Sequence, residues 1–256
     1  MSKTVLITGS TSGIGLGMAN AFAAQGYNII FNGLEADGAA IAQEVATKHG
    51  VKHLFSPANM LEPEAIREMV AAAEAQFGSV DVLINNAGIQ YVSPIDAFPE
   101  DKWNAIIGIN LSSAFHTTKA VWAKMKANGY GRIINISSAH GLVASEYKSA
   151  YVAAKHGIIG LTKVLALEGA TVGITANAIC PGYVHTPIVD KQITDQMAAH
   201  QMTREEVIQH VMLGKQALKE FIPVEAIAQA ALYLASDAAS QITGISLPID
   251  GGWTAG

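Results

Sequence analysis

Ser138, Tyr151 and Lys155 are residues of types that can together move a proton on and off an alcohol. Tyr151 and Lys155 stand four apart in Tyr151-Val152-Ala153-Ala154-Lys155, so on a helix their side chains share one face. A phenol titrates near ~10 when unperturbed, and an ammonium fixed beside it favours the phenolate and lowers that value. Tyr151 is then a competent base. Ser138 closes a strand-like run ahead of that helix, in Ser137-Ser138-Ala139-His140-Gly141. From there its hydroxyl can polarise the reacting oxygen. A tyrosine and a lysine at this spacing are common on ordinary amphipathic helices, and the serine at a strand end is what gives the pair chemical meaning.

A second centre lies at the N-terminus, where an apolar run leads into Thr8-Gly9-Ser10-Thr11-Ser12-Gly13-Ile14-Gly15. Gly9 permits a tight turn, Gly13 lets the backbone approach a pyrophosphate, and Gly15 lets a helix pack closely on the strand. The helix N-terminus then offers free N–H groups to phosphate. The spacing is G-x-x-x-G-x-G rather than the general dinucleotide fingerprint G-x-G-x-x-G. The end of the second strand, Asn32-Gly33-Leu34-Glu35, has no Arg or Lys to pair a 2′-phosphate, and neither has the Gly-rich turn. That absence favours NAD over NADP. The Asp expected to hold the ribose is missing, and Asn32 or Glu35 has to substitute.

Short β-rich runs at residues 4–8, 28–32, 53–56, 82–85, 131–137, 174–179 and 245–249 place these groups. They alternate with helical patterns at 15–24, 36–49, 63–77, 100–127, 149–169 and 224–235. The alternation predicts an α/β fold, a doubly wound parallel sheet of about seven strands in a single domain spanning 1–256. Segment 187–221 interrupts the rhythm with polar, helix-forming sequence and reads as a lid over substrate. A net charge of −5 with 14% charged residues leaves no basic surface for nucleic acid or an anionic membrane. The lone Cys180 allows no intrachain disulfide and fits the reducing cytoplasm. The eight histidines show no metal-ligand spacing. Low charge, 24 glycines and positive mean hydropathy favour surface buried against sister subunits.

Taken together, Thr8-Gly9 with Gly13 and Gly15, Asn85-Asn86-Ala87-Gly88, Asn110, Ser138, Tyr151 with Lys155, and Pro181-Gly182 resemble the short-chain dehydrogenase/reductase family. The resemblance covers the chain from its first strand to its last glycines. It implies catalysis by Ser138, Tyr151 and Lys155, with Asn110 helping to hold a water that relays protons from the lysine to solvent. It also implies cofactor contacts from Gly9, Thr11, Gly13, Ile14, Gly15, Leu34, Asn59, Met60, Asn86, Ala87, Gly88, Tyr151, Lys155, Pro181, Gly182, Val184 and Thr186, and a homotetramer. Family members usually carry Asp in place of Asn59 and often at Gly33.

Within the family, Asn86-Ala87-Gly88-Ile89-Gln90, the run Ser138 to Ser145, Lys148-Ser149-Ala150-Tyr151 and Asp250-Gly251-Gly252-Trp253-Thr254 are most similar to the branch acting on (R)-3-hydroxybutyrate. That implies a carboxylate site of Gln90, His140, Lys148 and Gln192, with Trp253 approaching from the C-terminus and Ser138 and Tyr151 on the hydroxyl. Lysine, imidazole and amide donors suit such an anion. Another hydroxy acid, a polyol or a carrier-bound ketoester remains open as substrate. A non-catalytic nucleotide sensor on the same fold would have no use for the full Asn110, Ser138, Tyr151 and Lys155 set.

Overall fold

The computed structural model describes residues 2–186, 189–190, 193–194, 197 and 201–256. Seven strands, β1 (Thr4–Ile7), β2 (Asn28–Asn32), β3 (His53–Ser56), β4 (Val82–Asn85), β5 (Gly131–Ile136), β6 (Ile174–Pro181) and β7 (Ser246–Ile249), form one sheet in the order 3-2-1-4-5-6-7. Every pairing is parallel. The intervening helices are α1 (Gly13–Ala24), α2 (Gly38–His49), α3 (Pro63–Phe77), α4 (Glu100–Ile107), α5 (Ser113–Asn128), α6 (Ser149–Gly169) and α7 (Val224–Ala235).

Strand side chains alternate between the faces of the sheet, and the core divides accordingly. Val5, Ile7, Ile29, Phe31, Val82, Ile84, Ile134 and Ile136 pack with Met18 and Phe22 of α1 and Ile227 and Leu234 of α7. Leu6, Ile30, Leu83 and Ile133 point the other way, onto Ile66 and Met69 of α3, Val121 and Met125 of α5, and Leu165 of α6. With its following turn α6 is long and apolar enough to span a membrane. Its buried residues, Ala154, Ile158, Thr162 and Leu165 among them, lie instead on the sheet side of this protein core.

Between the two central strands on this side runs a polar seam. Asn85 of β4 donates to Asn135 of β5 (2.8 Å), which donates to Thr162 of α6 (2.8 Å), while Thr117 of α5 donates back to Asn85 (2.6 Å). Each of these amides is buried and satisfied, so the network fixes strand register and the seating of two helices together.

The apolar pattern over 100–127 predicts one helix, but the structure divides it. Residues Gly108–Ser112 form a π turn between α4 and α5, which inserts one residue and turns Asn110 inward to a buried position. Within the expected lid, Val189, Ile193, Val207, Met212 and Leu213 share a small core. Asp190 accepts from His185 (3.3 Å), just before this stretch, and from Arg204 (2.6 Å) within it. A capping box joining Thr203 and Glu206 starts the helix at Arg204–Glu206.

Candidate active site

Strand order reverses between β1 and β4, and the loops leaving the carboxyl ends of the strands separate there into a crevice. Gly9 and Gly13 sit at φ +61° and +53°, where an L side chain is strained. A Cβ on Gly15 would overlap the Gly9 carbonyl oxygen and come within 2.7 Å of Asn86 Nδ2. The turn is therefore bare backbone. Ser12 at the start of α1 makes no side-chain cap, which leaves the first N–H groups of the helix facing outward. Asn86 holds the turn in place by donating to the carbonyls of Thr8 and Gly9 (both 2.9 Å), and the Thr8 hydroxyl accepts from the N–H groups of Asn86 and Ala87 (both 3.0 Å). Ile14 is half-buried beside it, and Thr186 comes across from the loop after β6, 3.6 Å from where a Gly13 Cβ would lie.

The two candidates for the missing Asp have different fates. Asn32 is buried, its amide accepting from Gly9 N–H (3.2 Å) and donating to the carbonyls of Ser56 (3.1 Å) and Ala58 (2.9 Å). Both of its N–H donors are taken by backbone. The Glu35 carboxylate instead turns over the Gly-rich loop and accepts from the hydroxyls of Thr11 and Ser12. Those hydroxyls, Thr11 first, hold its pKa below the usual carboxylate value. Beside it Leu34 is exposed, while Met60 is buried. Asn59 is used in a turn, accepting from Leu61 N–H (3.0 Å) and donating to Glu62 (3.1 Å).

At the other end of the crevice Tyr151, Lys155 and Ser138 come together. Lys155 is buried, its Nζ 5.6 Å from the centroid of the Tyr151 ring and donating to the Ile136 carbonyl (2.7 Å). Burial lowers its pKa to about 8. Ser137 donates to the Lys155 carbonyl (3.0 Å), which locks the end of β5 to α6 and so sets Ser138 against Tyr151. Burial raises the Tyr151 pKa, and the hydrogen bond with the Ser138 hydroxyl opposes that rise. The ammonium is committed to a carbonyl and lies by the ring.

The π turn brings in Asn110, whose amide accepts from Ile89 N–H and donates to Ile89 C=O (both 2.9 Å). This pair of hydrogen bonds pins the loop after β4, next to exposed Gln90. The far wall of that loop is tied too, since Ser93 N–H donates to the carbonyl of Tyr147 (2.9 Å), a residue held at φ +65°.

Above Tyr151 lies an aromatic cage. Trp253 stacks on Tyr183 (5.6 Å between centroids, 11° between planes), and His140 meets Trp253 and Tyr151 edge-on at 5.0 and 6.0 Å. The Asp250 carboxylate fixes Trp253 by accepting from Gly252 N–H, Thr254 N–H and the Thr254 hydroxyl (3.0, 3.0 and 2.6 Å). The Ser138 Oγ accepts from His140 N–H (3.1 Å), and the ring Nε2 of His140 lies 3.0 Å from Ser145 Oγ. Lys148 is half-buried with its ammonium 5.8 Å from the Tyr183 ring centroid. Pro181 and Gly182 end β6, and Val184 is buried in a bridge to Ile222. Gln192 lies outside the described residues.

Three contributors carried no sequence signal. Gln216, buried, accepts from Tyr183 N–H (3.0 Å) and donates to the carbonyls of Leu218 and Glu220. Its neighbour Lys215 donates to Ser145 (3.3 Å). The Ser137 hydroxyl acts on the Lys155 carbonyl. Only the closed fold puts them here.

His140 is held neutral: burial first, then the charges of Lys148 and Lys215, lower its pKa from 6.5 to about 3. The folded chain thus binds fewer protons than the unfolded one between those values, and stability is lost as pH falls through that window. Urea midpoints measured from pH 7 to 4 should fall less steeply for His140→Gln than for the parent. Parallel curves would show that this histidine is not the titrating group.

The short-chain dehydrogenase family model matches residues 3–197. The chain is 54% identical over 257 residues to a D-beta-hydroxybutyrate dehydrogenase of Rhizobium meliloti, covering 100% of both. It is 49% identical to one of Cupriavidus necator, covering 99% of this chain and 98% of that protein. Among solved structures, an actinorhodin polyketide ketoreductase with NADPH superposes with a TM-score of 0.93 at 30% identity, covering 99% of this chain and 97% of that one. A bare glycine turn at the switch point, a serine, tyrosine and lysine gathered at the strand ends and these full-length likenesses lead to one conclusion: the chain belongs to the short-chain dehydrogenase family of oxidoreductases.

Proposed function

We propose that the protein is an NAD-dependent dehydrogenase that interconverts (R)-3-hydroxybutyrate and acetoacetate. The observation that carries the reading is the position of Lys148, set back from Tyr151 by one helical turn and facing the aromatic cage. A short hydroxy acid held there by its carboxylate has its hydroxyl within reach of Tyr151 and Ser138. The names of the two full-length relatives at about half identity support the same substrate.

The crevice fits a dinucleotide. The glycine turn is a cradle that a Cβ at Gly15 would fill, and the uncapped start of α1 presents N–H donors where a pyrophosphate needs them. Gly9, Thr11, Gly13, Ile14 and Gly15 would hold the phosphates. Leu34, Asn59 and Met60 would flank the adenine. Asn86, Ala87, Gly88, Pro181, Gly182, Val184 and Thr186 would line the nicotinamide half, together with Tyr151 and Lys155. Glu35 supports NAD over NADP, because its carboxylate beside Thr11 and Ser12 can accept from a ribose hydroxyl and repels a 2′-phosphate.

A bound nicotinamide would supply the acceptor for the hydride that leaves C3. Tyr151 Oη, as the phenolate, takes the hydroxyl proton as that C–H bond breaks and the C=O bond forms. Ser138 donates to the same oxygen as it gains and loses charge. The chain of contacts from Ser145 through His140 to Ser138 orients that donor. Lys155, close to its own charge change at about 8, gives a proton from its ammonium toward solvent past the π turn and takes up the one that Tyr151 has gained. Asn110, held against Ile89 at that turn, would help to hold the relay water, as the family resemblance implies. Gln90, His140, Lys148, Gln192 and Trp253 complete the carboxylate site, and segment 187–221 serves as its cover, excluding water.

A homotetramer accompanies this reading. Phe115 of α5 and Val164 and Leu167 of α6 are exposed apolar side chains, Leu167 being 80% exposed, that sister subunits would cover. Light scattering should return four times the chain mass, and a monomer mass refutes it.

Tyr151→Phe should lower kcat by at least about a thousandfold while leaving NAD binding intact, as read by steady-state rates and by fluorescence titration. Near-normal turnover of that variant would overturn the base assignment. Glu35→Arg should shift the ratio of kcat/KM for NADP over NAD upward by about tenfold or more. An unchanged ratio in parallel assays would show that the carboxylate does not read the ribose.

A further inference from the structure

We infer that Lys215 is a second cation of the substrate site, joining Lys148 in holding the carboxylate; the inference rests on the hydroxy-acid reading above. Three observations converge on it. First is position. The Lys215 ammonium donates to Ser145 Oγ (3.3 Å) and stands 5.9 Å from the Trp253 ring centroid, while Ser145 lies 3.0 Å from His140 Nε2. Lys215 therefore borders the cage made by His140, Trp253 and Tyr183, on whose ring Lys148 sits.

Second is anchorage. The residue lies in the polar excursion after β6, yet its backbone is not left to wander. Adjacent Gln216 is buried and makes hydrogen bonds to Tyr183, Leu218 and Glu220, and a Cβ on Gly182 would come 2.7 Å from Gln216 Oε1. The same amide that seats Tyr183 in the cage thus sets where Lys215 begins.

Third is unbalanced charge. Among the described residues no carboxylate pairs with Lys148 or Lys215. The two ammoniums repel each other, and Lys215 depresses the pKa of Lys148, after burial, and that of His140. Two cations around a neutral imidazole form a site whose repulsion is relieved by an anion. Lys215 donating to Ser145 also leaves the serine hydrogen free for His140 Nε2. The remaining ring N–H then points from Nδ1 toward Ser138, 3.5 Å away, so the carboxylate site and the hydroxyl site share one direction of donation. A free acid is selected over its uncharged ester.

The test is reduction of acetoacetate and of methyl acetoacetate by NADH in the parent, Lys215→Met and Lys215→Arg. Lys215→Met should raise KM for acetoacetate by about tenfold with a much smaller change in kcat, and leave KM for the ester within about twofold. Lys215→Arg should recover most of the acid KM. NADH binding, followed by fluorescence, should be the same in all three, which a misfolded variant would not show. An acid KM unmoved by Lys215→Met, or equal losses on acid and ester, would overturn the assignment to the carboxylate. A parent enzyme that handles the ester as well as the acid would sink the hydroxy-acid reading itself, and this inference with it.

Discussion

A lysine ammonium removed from water and held on a single main-chain carbonyl is the constraint around which the crevice is built. Taking a charge out of solvent costs several kcal/mol, and the Lys155 bond to Ile136 offsets that only in part, as its pKa of about 8 records. The group sits at the edge of its charge change at physiological pH. Everything near it is correspondingly fixed. Ser137 fastens the Lys155 carbonyl, and the neighbouring serine is then delivered to the phenol with no freedom of its own. A site able to take up and release protons needs groups that are neither comfortably solvated nor permanently paired, and here burial supplies that condition.

Asparagine does much of the remaining assembly. Asn86 ties the loop after β4 to the first turn, Asn110 ties the same loop to the π turn, and Asn32 ties the first turn to the segment after β3. Asn32 and Asn110 use a donor and an acceptor, and Asn86 its amide N–H groups, on backbone groups of the loops and turns. Together with the Asn85, Asn135 and Thr162 seam deeper in the sheet, they make the C-terminal edge a cross-linked surface rather than a set of independent loops. Cofactor-facing backbone can therefore stay bare without becoming loose.

The layout of strands and helices was legible because central parallel strands are apolar on both faces and the helices between them are not. Their ends were less so. Thr8 leaves β1 to hold Asn86, and Pro181 extends β6 by pairing with Ile249 of β7, choices made by partners distant in the chain. The π turn left no trace in the pattern, since one inserted residue rotates a helix face without removing its apolar stripe. The spacing of Tyr151 and Lys155 announced their common face. The direction of the Tyr151 pKa did not follow from spacing, because desolvation depends on the whole surrounding packing. Lys215 was hidden for a related reason: seventy residues separate it from Ser145, and only tertiary closure makes them neighbours.

The missing aspartate at the end of β2 has a steric explanation with an evolutionary edge. A side chain at Gly33 would run into the Thr11 hydroxyl and the Glu35 carboxylate, which already occupy that space. Thr11 and Glu35 fill with side-chain ends the room that a side chain at position 33 would need. A lineage that gains an aspartate there has to move that pair as well, so the two changes come together rather than one at a time.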